Sequence, residues 1–146
     1  MGLTEFMKRL GAPLAVARKS WGSVREKDGA VFLKVWRDRV ERRENDLHVR
    51  ITSHDEHKDD PTDYAYAERL RHIELIRQGA KCYLVMCAAK DPEEQPRAVG
   101  DFDSDRIFPG SEITEHDGEL WITLGRPVLA DGIRPIKSPP SDAEDT

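Results

Sequence analysis

The sequence lacks the long apolar runs and the leader segment that membrane-spanning and exported proteins carry. No apolar stretch in its 146 residues approaches the length needed to cross a bilayer, which is roughly 18 residues. The first residues, MGLTEFMKRLG, contain no continuous apolar segment followed by a small-residue cleavage site. We therefore expect a cytoplasmic protein that does not bind membranes.

Cysteine is also scarce, and its two positions exclude two kinds of site. Cys82 and Cys87 fall within one apolar run, CYLVMC, and along a strand they would lie about 16 Å apart. That separation is too large for a disulfide, and no further cysteine is present to complete a Cys-rich zinc site. We expect two core thiols and no cofactor.

The motifs of common enzyme classes are missing. The chain has no G-x-G-x-x-G or Walker loop and no G-x-S-x-G elbow. Metal-dependent nucleases often place an acid two residues before a lysine, but Phe32 occupies that position before Lys34. Asn45 is the only asparagine and has no His-Asn-His spacing around it. These absences favour a protein that is not an enzyme, without settling the question.

One loop keeps a hydrolase open as an alternative. The segment SHDEHKDD contains two histidines, His54 and His57, among several carboxylates as far as Asp60. Such groups can bind a divalent metal, but the spacing is not that of a helical H-E-x-x-H site. An exposed loop is the simpler interpretation, and we predict no metal site.

Alternation and turn residues predict the architecture. Apolar residues recur at helical spacing in residues 3–10, and again in residues 64–78 at Tyr66, Leu70, Ile73 and Ile76. Period-two or apolar runs predict strands near residues 21–24, 30–37, 47–52, 81–89, 97–102, 105–114 and 119–124.

Two Asp-Gly pairs, at residues 28–29 and 117–118, predict hairpin turns. The fold class is α+β: a curved, mostly antiparallel sheet or small β-barrel, with one long helix packed across it and a short N-terminal helix. Residues 1–128 should form a single globular domain, and residues 129–146 an acidic, Pro-rich disordered tail.

Charge is unevenly distributed along the chain. Residues 1–50 carry 12 Lys and Arg against 7 Asp and Glu, whereas residues 51–146 carry 11 against 21, for a net charge of −5. The overall acidity argues against strong non-specific DNA binding, which depends on many phosphate contacts. Binding to nucleic acid should therefore be local and selective.

The stretch RKSWGSVREKDGAVFLKVWRD is the candidate for such binding. In a regular strand Phe32, Lys34 and Trp36 share one face, and aromatic rings alternating with cations are typical of a base-stacking platform. The alternative is that this face packs in the core while the lysine extends its ammonium to solvent. The predicted nucleic-acid-binding residues are Arg18, Lys19, Trp21, Arg25, Lys34, Trp36, Arg37 and Arg39.

The segments WGSVREKDGAVFLKVWRD, ERLRHIELIRQGAKCYLVMCAAKD and DGELWITL resemble small bacterial proteins and domains associated with HNH-type restriction endonucleases and mobile elements. This resemblance implies a DNA-related accessory role in restriction or defence, with cleavage supplied by another protein. In outline the architecture is also similar to PUA-like barrels, some of which read modified bases by flipping them into an aromatic pocket. A base stacked on Trp21 or Trp36 would fit that analogy.

Two partner classes follow from these observations. The leading hypothesis is a non-enzymatic domain that binds DNA, either modified or single-stranded. The competing hypothesis is a protein-interaction partner whose acidic C-terminal half docks a basic protein, such as a restriction or defence protein. Oligomeric state does not follow from the sequence.

Overall fold

The computed structural model describes residues 2–16, 20–53, 64–94 and 98–133. Within these ranges the chain forms two α-helices, α1 (Leu3–Arg9) and α2 (Tyr64–Arg77). Short 3-10 turns occupy Arg37–Arg39 and Ala130–Ile133. The nine strands are β1 (Gly22–Val24), β2 (Val31–Trp36), β3 (Val40–Arg43), β4 (Asp46–Arg50), β5 (Cys82–Ala89), β6 (Val99–Phe102), β7 (Arg106–His116), β8 (Glu119–Leu124) and β9 (Val128–Leu129).

All nine strands belong to one mixed, mostly antiparallel arrangement. The order is β1-β2-β5-β7-β8-β4-β3, with β6 paired to β5 and β9 paired to β7. Only β2 and β5 run parallel, Val31 pairing with Cys82 and Trp36 with Cys87. Among the described residues β3 does not pair with β1, so the sheet is open. The α+β class and the mainly antiparallel sheet predicted from the sequence are confirmed.

Both predicted Asp-Gly turns join antiparallel neighbours. The first links β1 to β2, and the second links β7 to β8. At the second turn Asp117 has φ 56° and Gly118 has φ 79°, the pair of positive values that a two-residue hairpin with the native strand twist requires. The local chemistry of the chain therefore determines these two hairpins.

The sheet has an apolar core on each side of β2 and β5. On one face Val31, Leu33 and Val35 pack with residues of β4, β8 and α2. On the other face Phe32 is fully buried and packs with α1 through Phe6, Met7 and Leu10. The alternation of β2 therefore supplies both cores, and Phe32 belongs to the second core and not to a surface platform.

Two predictions need correction: which residues form the inner face of α2, and where the folded part of the chain ends. Leu70 is 39% exposed and does not belong to the inner stripe of α2, because the helix directs Arg69 and His72 inward instead. At the C-terminal end, β9 pairs with β7 and Ala130 is buried. The structured part of the chain therefore extends past residue 128, and residues 134–146 lie outside the described ranges.

Candidate functional site

A pocket of about 400 Å³ opens where β2, the end of β4 and α2 meet. Leu3 of α1 and Val99 of β6 lie at its edge. Two indole rings and four cationic side chains line it: Trp21, Trp36, Lys34, Arg39, Arg50 and Arg69. The described residues that line it include no Asp or Glu. Because the cations converge without a carboxylate in the lining, the pocket favours an anionic or acceptor-rich ligand.

β2 places two of these side chains. Lys34 and Trp36 lie on the same face of β2 as the buried Phe32. This face contacts the second core at Phe32 and lines the pocket at Lys34 and Trp36. Trp36 is half-buried against that core. Burial lowers the pKa of Lys34, and the neighbouring positive charge of Arg69 lowers it further. An anion in the pocket would stabilise the charged form of this lysine.

Arg69 forms the floor of the pocket and connects three segments of the chain. Its Nη1 donates to the Ile51 carbonyl at 2.8 Å. Its Nη2 donates to the carbonyls of Trp21 at 3.0 Å and Lys34 at 2.6 Å. The guanidinium carbon lies 5.7 Å from the Trp21 ring centroid, and burial lowers the pKa of Arg69 to about 10. The group stays charged at neutral pH.

The carboxylate beside Arg69 in the sequence is engaged elsewhere. Glu68 is buried, and its Oε2 accepts hydrogen bonds from the Ser20 hydroxyl and the Tyr64 hydroxyl, each at 3.1 Å. Its negative charge counteracts part of the effect that Arg69 has on the pKa of Lys34. It is not part of the pocket lining, so the surface that a ligand would meet keeps its positive character.

Packing fixes the wall around Trp21. Its ring meets Tyr66 edge-on, with centroids 6.2 Å apart. The Tyr66 hydroxyl accepts a hydrogen bond from the Ser53 amide at 3.3 Å, and burial raises the pKa of Tyr66 to about 12. Arg39 donates to the Ser53 hydroxyl at 3.2 Å. The segment after β4 therefore positions both an indole and a guanidinium.

The structure brings together four of the eight residues predicted from the sequence: Trp21, Lys34, Trp36 and Arg39. Arg37 is exposed and does not line the pocket. Arg18 and Lys19 lie outside the described residues.

Arg25 has a different environment. It is only 7% exposed and binds Asp28 as well as the carbonyls of Leu10 and Ile133. Its guanidinium carbon also lies 5.2 Å from the Phe32 ring centroid. These contacts tie the first hairpin to α1 and to the last 3-10 turn, and Arg25 does not line the pocket.

Two of the four cationic residues that line the pocket were not singled out by the sequence patterns. Arg50 alternates with the buried Val49 and Ile51 at the end of β4, and Arg69 lies on the inner face of α2. The alternation of β4 indicates that Arg50 points away from the core, but only the fold shows that this side faces the pocket. For Arg69 the sequence carries no signal, because an arginine among helical polar residues ordinarily faces water.

Within the part of the chain that the structure describes, the other potentially reactive groups do not form a second site. Cys82 and Cys87 are buried and free, and burial raises the pKa of these thiols to about 12 and about 11. The loop from His54 to Asp60 lies outside the described residues. Within the ranges that are described, no group of three or more His, Cys, Asp or Glu side chains is placed to hold a metal ion.

A scan against protein-family models, a search of curated proteins and a search of solved structures each find no match to this chain. Neither of the helices in the described ranges is long and apolar enough to cross a bilayer. The geometry of the pocket therefore provides the evidence for function.

Proposed function

We propose that this protein is a non-enzymatic nucleic-acid-binding domain that takes an unpaired or extruded base into the pocket lined by Trp21 and Trp36. The observation that carries the proposal is the convergence of two indole rings with four cations in a lining that contains no acid among the described residues. Its volume of about 400 Å³ is in the range typical of small-ligand pockets.

The chemistry of the lining suits a nucleotide. Every base has an aromatic face, and stacking on an aromatic side chain contributes about 1–3 kcal/mol per base. Arg39 lines the pocket at the end of the 3-10 turn that also carries the exposed Arg37. We expect Arg39, and Arg37 two residues before it on the same turn, to contact the flanking phosphates.

The wider setting is also part of the proposal. A role in restriction or defence would make this domain a recognition module, selective for modified or flipped bases, that works beside a separate nuclease. A PUA-like arrangement, in which a long helix packs across a curved sheet, would agree with such a role. Fold alone does not determine function, so the proposal depends on the pocket residues.

Fluorescence anisotropy tests the proposal directly. Labelled DNA and RNA, single- and double-stranded, with plain and modified bases, should be titrated at about 50 and 200 mM salt. We expect binding to unpaired or modified sites that survives the higher salt. We also expect Trp36→Ala to weaken binding about tenfold or more, because a stacking surface is removed.

Phe102→Ala is the matched control for Trp36→Ala. Phe102 is likewise half-buried against the second core but does not line the pocket, so its loss should lower stability and leave affinity unchanged. Equal loss of affinity in the two variants would show that Trp36 acts through folding alone. Absence of binding to every nucleic acid would reject the proposal and favour a protein partner for the acidic C-terminal half.

A further inference from the structure

Two buried hydrogen-bond donors on side chains that line the pocket have no hydrogen-bond partner among the described residues. They are the Nε atoms of Arg50 and Arg69, and both residues line the pocket. Buried donors in native proteins are almost always satisfied, and an exception indicates an absent water, ion or ligand. The two donors belong to different elements, β4 and α2, so a single local distortion does not explain both.

Four acceptors near the pocket already accept hydrogen bonds from described residues. The carbonyls of Trp21, Lys34 and Ile51 accept from Arg69. The Thr52 hydroxyl donates to Glu119 at 2.6 Å and accepts from the Leu120 amide at 2.8 Å.

Arginine and lysine only donate hydrogen bonds. The polar surface that the described residues offer to a ligand is therefore mainly a donor surface. A ligand that presents donors would leave the donors of the pocket without acceptors, whereas a ligand that presents acceptors would form hydrogen bonds with them.

We infer that the pocket selects carbonyl-bearing bases, defined here as those with a carbonyl at the position where adenine and cytosine carry an amino group, namely guanine (O6), thymine and uracil (O4). This inference rests on the proposed nucleic-acid function. Guanine offers the acceptors O6 and N7, for which arginine and lysine are the usual partners. Thymine and uracil offer the carbonyl oxygen O4, whereas adenine and cytosine carry an amino group, N6 or N4, at the corresponding position, where it would face the donors of Lys34, Arg50 and Arg69.

The experiment uses labelled duplexes that are identical except for one unpaired nucleotide: dG, dT, dU, dA, dC, 2-aminopurine or an abasic analogue. We expect dG, dT and dU to bind about tenfold or more tightly than dA and dC. The 2-aminopurine duplex should bind more weakly than dG, because this base lacks the O6 acceptor and keeps N7.

Arg50→Gln removes one pocket cation, and Arg42→Gln is its control because Arg42 is exposed on the neighbouring strand and does not line the pocket. We expect the preference for carbonyl-bearing bases to shrink in the first variant and to persist in the second. The 2-aminopurine comparison is made on the unaltered protein, so it remains decisive even when Arg50→Gln does not fold.

The possible outcomes separate this inference from the proposed function. Binding that is tight and equal for all bases would overturn the inference while leaving nucleic-acid binding intact. If the abasic duplex binds as tightly as the duplexes with a base, and inorganic phosphate competes, the donors bind a phosphate. That result would also overturn the inference. Absence of binding to all duplexes would reject the proposed function and the inference with it.

Discussion

At the scale of single residues, Arg69 has two roles that are difficult to separate. Its guanidinium contributes positive charge to the pocket, and it also satisfies three carbonyls from three different parts of the chain. Carbonyls buried without a partner are destabilising. A substitution at this position therefore tests the fold more than it tests binding.

We expect Arg69→Met to lower the free energy of unfolding by about 3 kcal/mol or more, because three carbonyls lose their donor. Urea denaturation of the two proteins measures the difference. Arg71→Met is the control, since Arg71 is exposed on the same helix and its loss should change stability by about 0.5 kcal/mol or less. Equal unfolding midpoints for the two variants would contradict the role assigned to Arg69.

A second residue-scale prediction concerns acid stability. The hydrogen bonds from Arg25 lower the pKa of Asp28 from 3.8 to about 2. Its carboxylate side chain is 47% exposed, so solvent screening limits the pair to about 1 kcal/mol. Because the folded-state pKa is lowered, this contribution is present above pH 3.8 and is lost as the pH falls toward about 2.

Asp28→Asn should therefore be less stable than the unaltered protein at neutral pH, and the difference should disappear near pH 2. Thermal unfolding across this pH range measures it. Asp46→Asn, an exposed position at the start of β4, serves as the control and should show little difference at either pH. A stability gap for Asp28→Asn that persists at low pH would show that the carboxylate charge is not its cause.

Residue-level patterns singled out four of the twelve described residues that line the pocket, and the reason is physical. Lys34 and Trp36 were identified because period two places them on one face of β2, and Trp21 and Arg39 because they flank that hairpin. Arg50 and Arg69 come from elements that are distant in the sequence. Local patterns show which way a side chain points, but only the packing of β4 and α2 determines what it meets.

At the scale of elements, the close approach of α2 to the first hairpin positions the pocket floor. Gly22 of β1 leaves room for both β2 and α2, because a Cβ there would overlap the Phe32 carbonyl oxygen of β2 and lie 3.2 Å from Nδ1 of His72 on α2. His72 is buried on the inner face of α2. Any larger residue at this position would therefore clash with its neighbours.

Gly22→Ala should destabilise the protein by about 1–3 kcal/mol, the usual range for overpacking a filled site. Gly132→Ala is the matched control, since a Cβ at Gly132 would meet nothing within 4 Å. Denaturant unfolding of both variants measures the effect. A Gly22→Ala protein as stable as the control would mean that β1 moves away from β2 and α2 without a loss of stability.

Elements with strong local signals were predicted well, and those that depend on distant pairing were not. Two Asp-Gly turns identified the hairpins, and the apolar run at residues 81–89 predicted β5, which pairs with β2, β6 and β7. The parallel pairing of β2 with β5 was not predicted, because strands so far apart in sequence leave no local signal of their register.

At the scale of the whole molecule, charge should govern how binding responds to salt. The chain has a net charge of −5, while four of its cations line one pocket and Arg37 lies on the adjacent 3-10 turn. A small number of phosphate contacts gives a shallow salt dependence.

We expect the plot of log affinity against log salt for single-stranded DNA to have a slope of roughly −1.5 to −3. Arg37→Gln should make this slope shallower by about 0.7, the loss of one phosphate contact. Arg77→Gln, at the exposed end of α2, should leave it unchanged. A much steeper slope would indicate a broad electrostatic surface in place of a local site.

The parallel pairing of β2 with β5 also has a consequence for synthesis on the ribosome. Each β2 residue pairs with one that lies far later in the chain, Val31 with Cys82 and Trp36 with Cys87. At bacterial and eukaryotic elongation rates the delay between the two strands is about 3–10 s. During that interval β2 has only the short β1 as a hydrogen-bonded neighbour in the sheet, so its other edge is unpaired and the nascent chain is most prone to aggregation before β5 emerges.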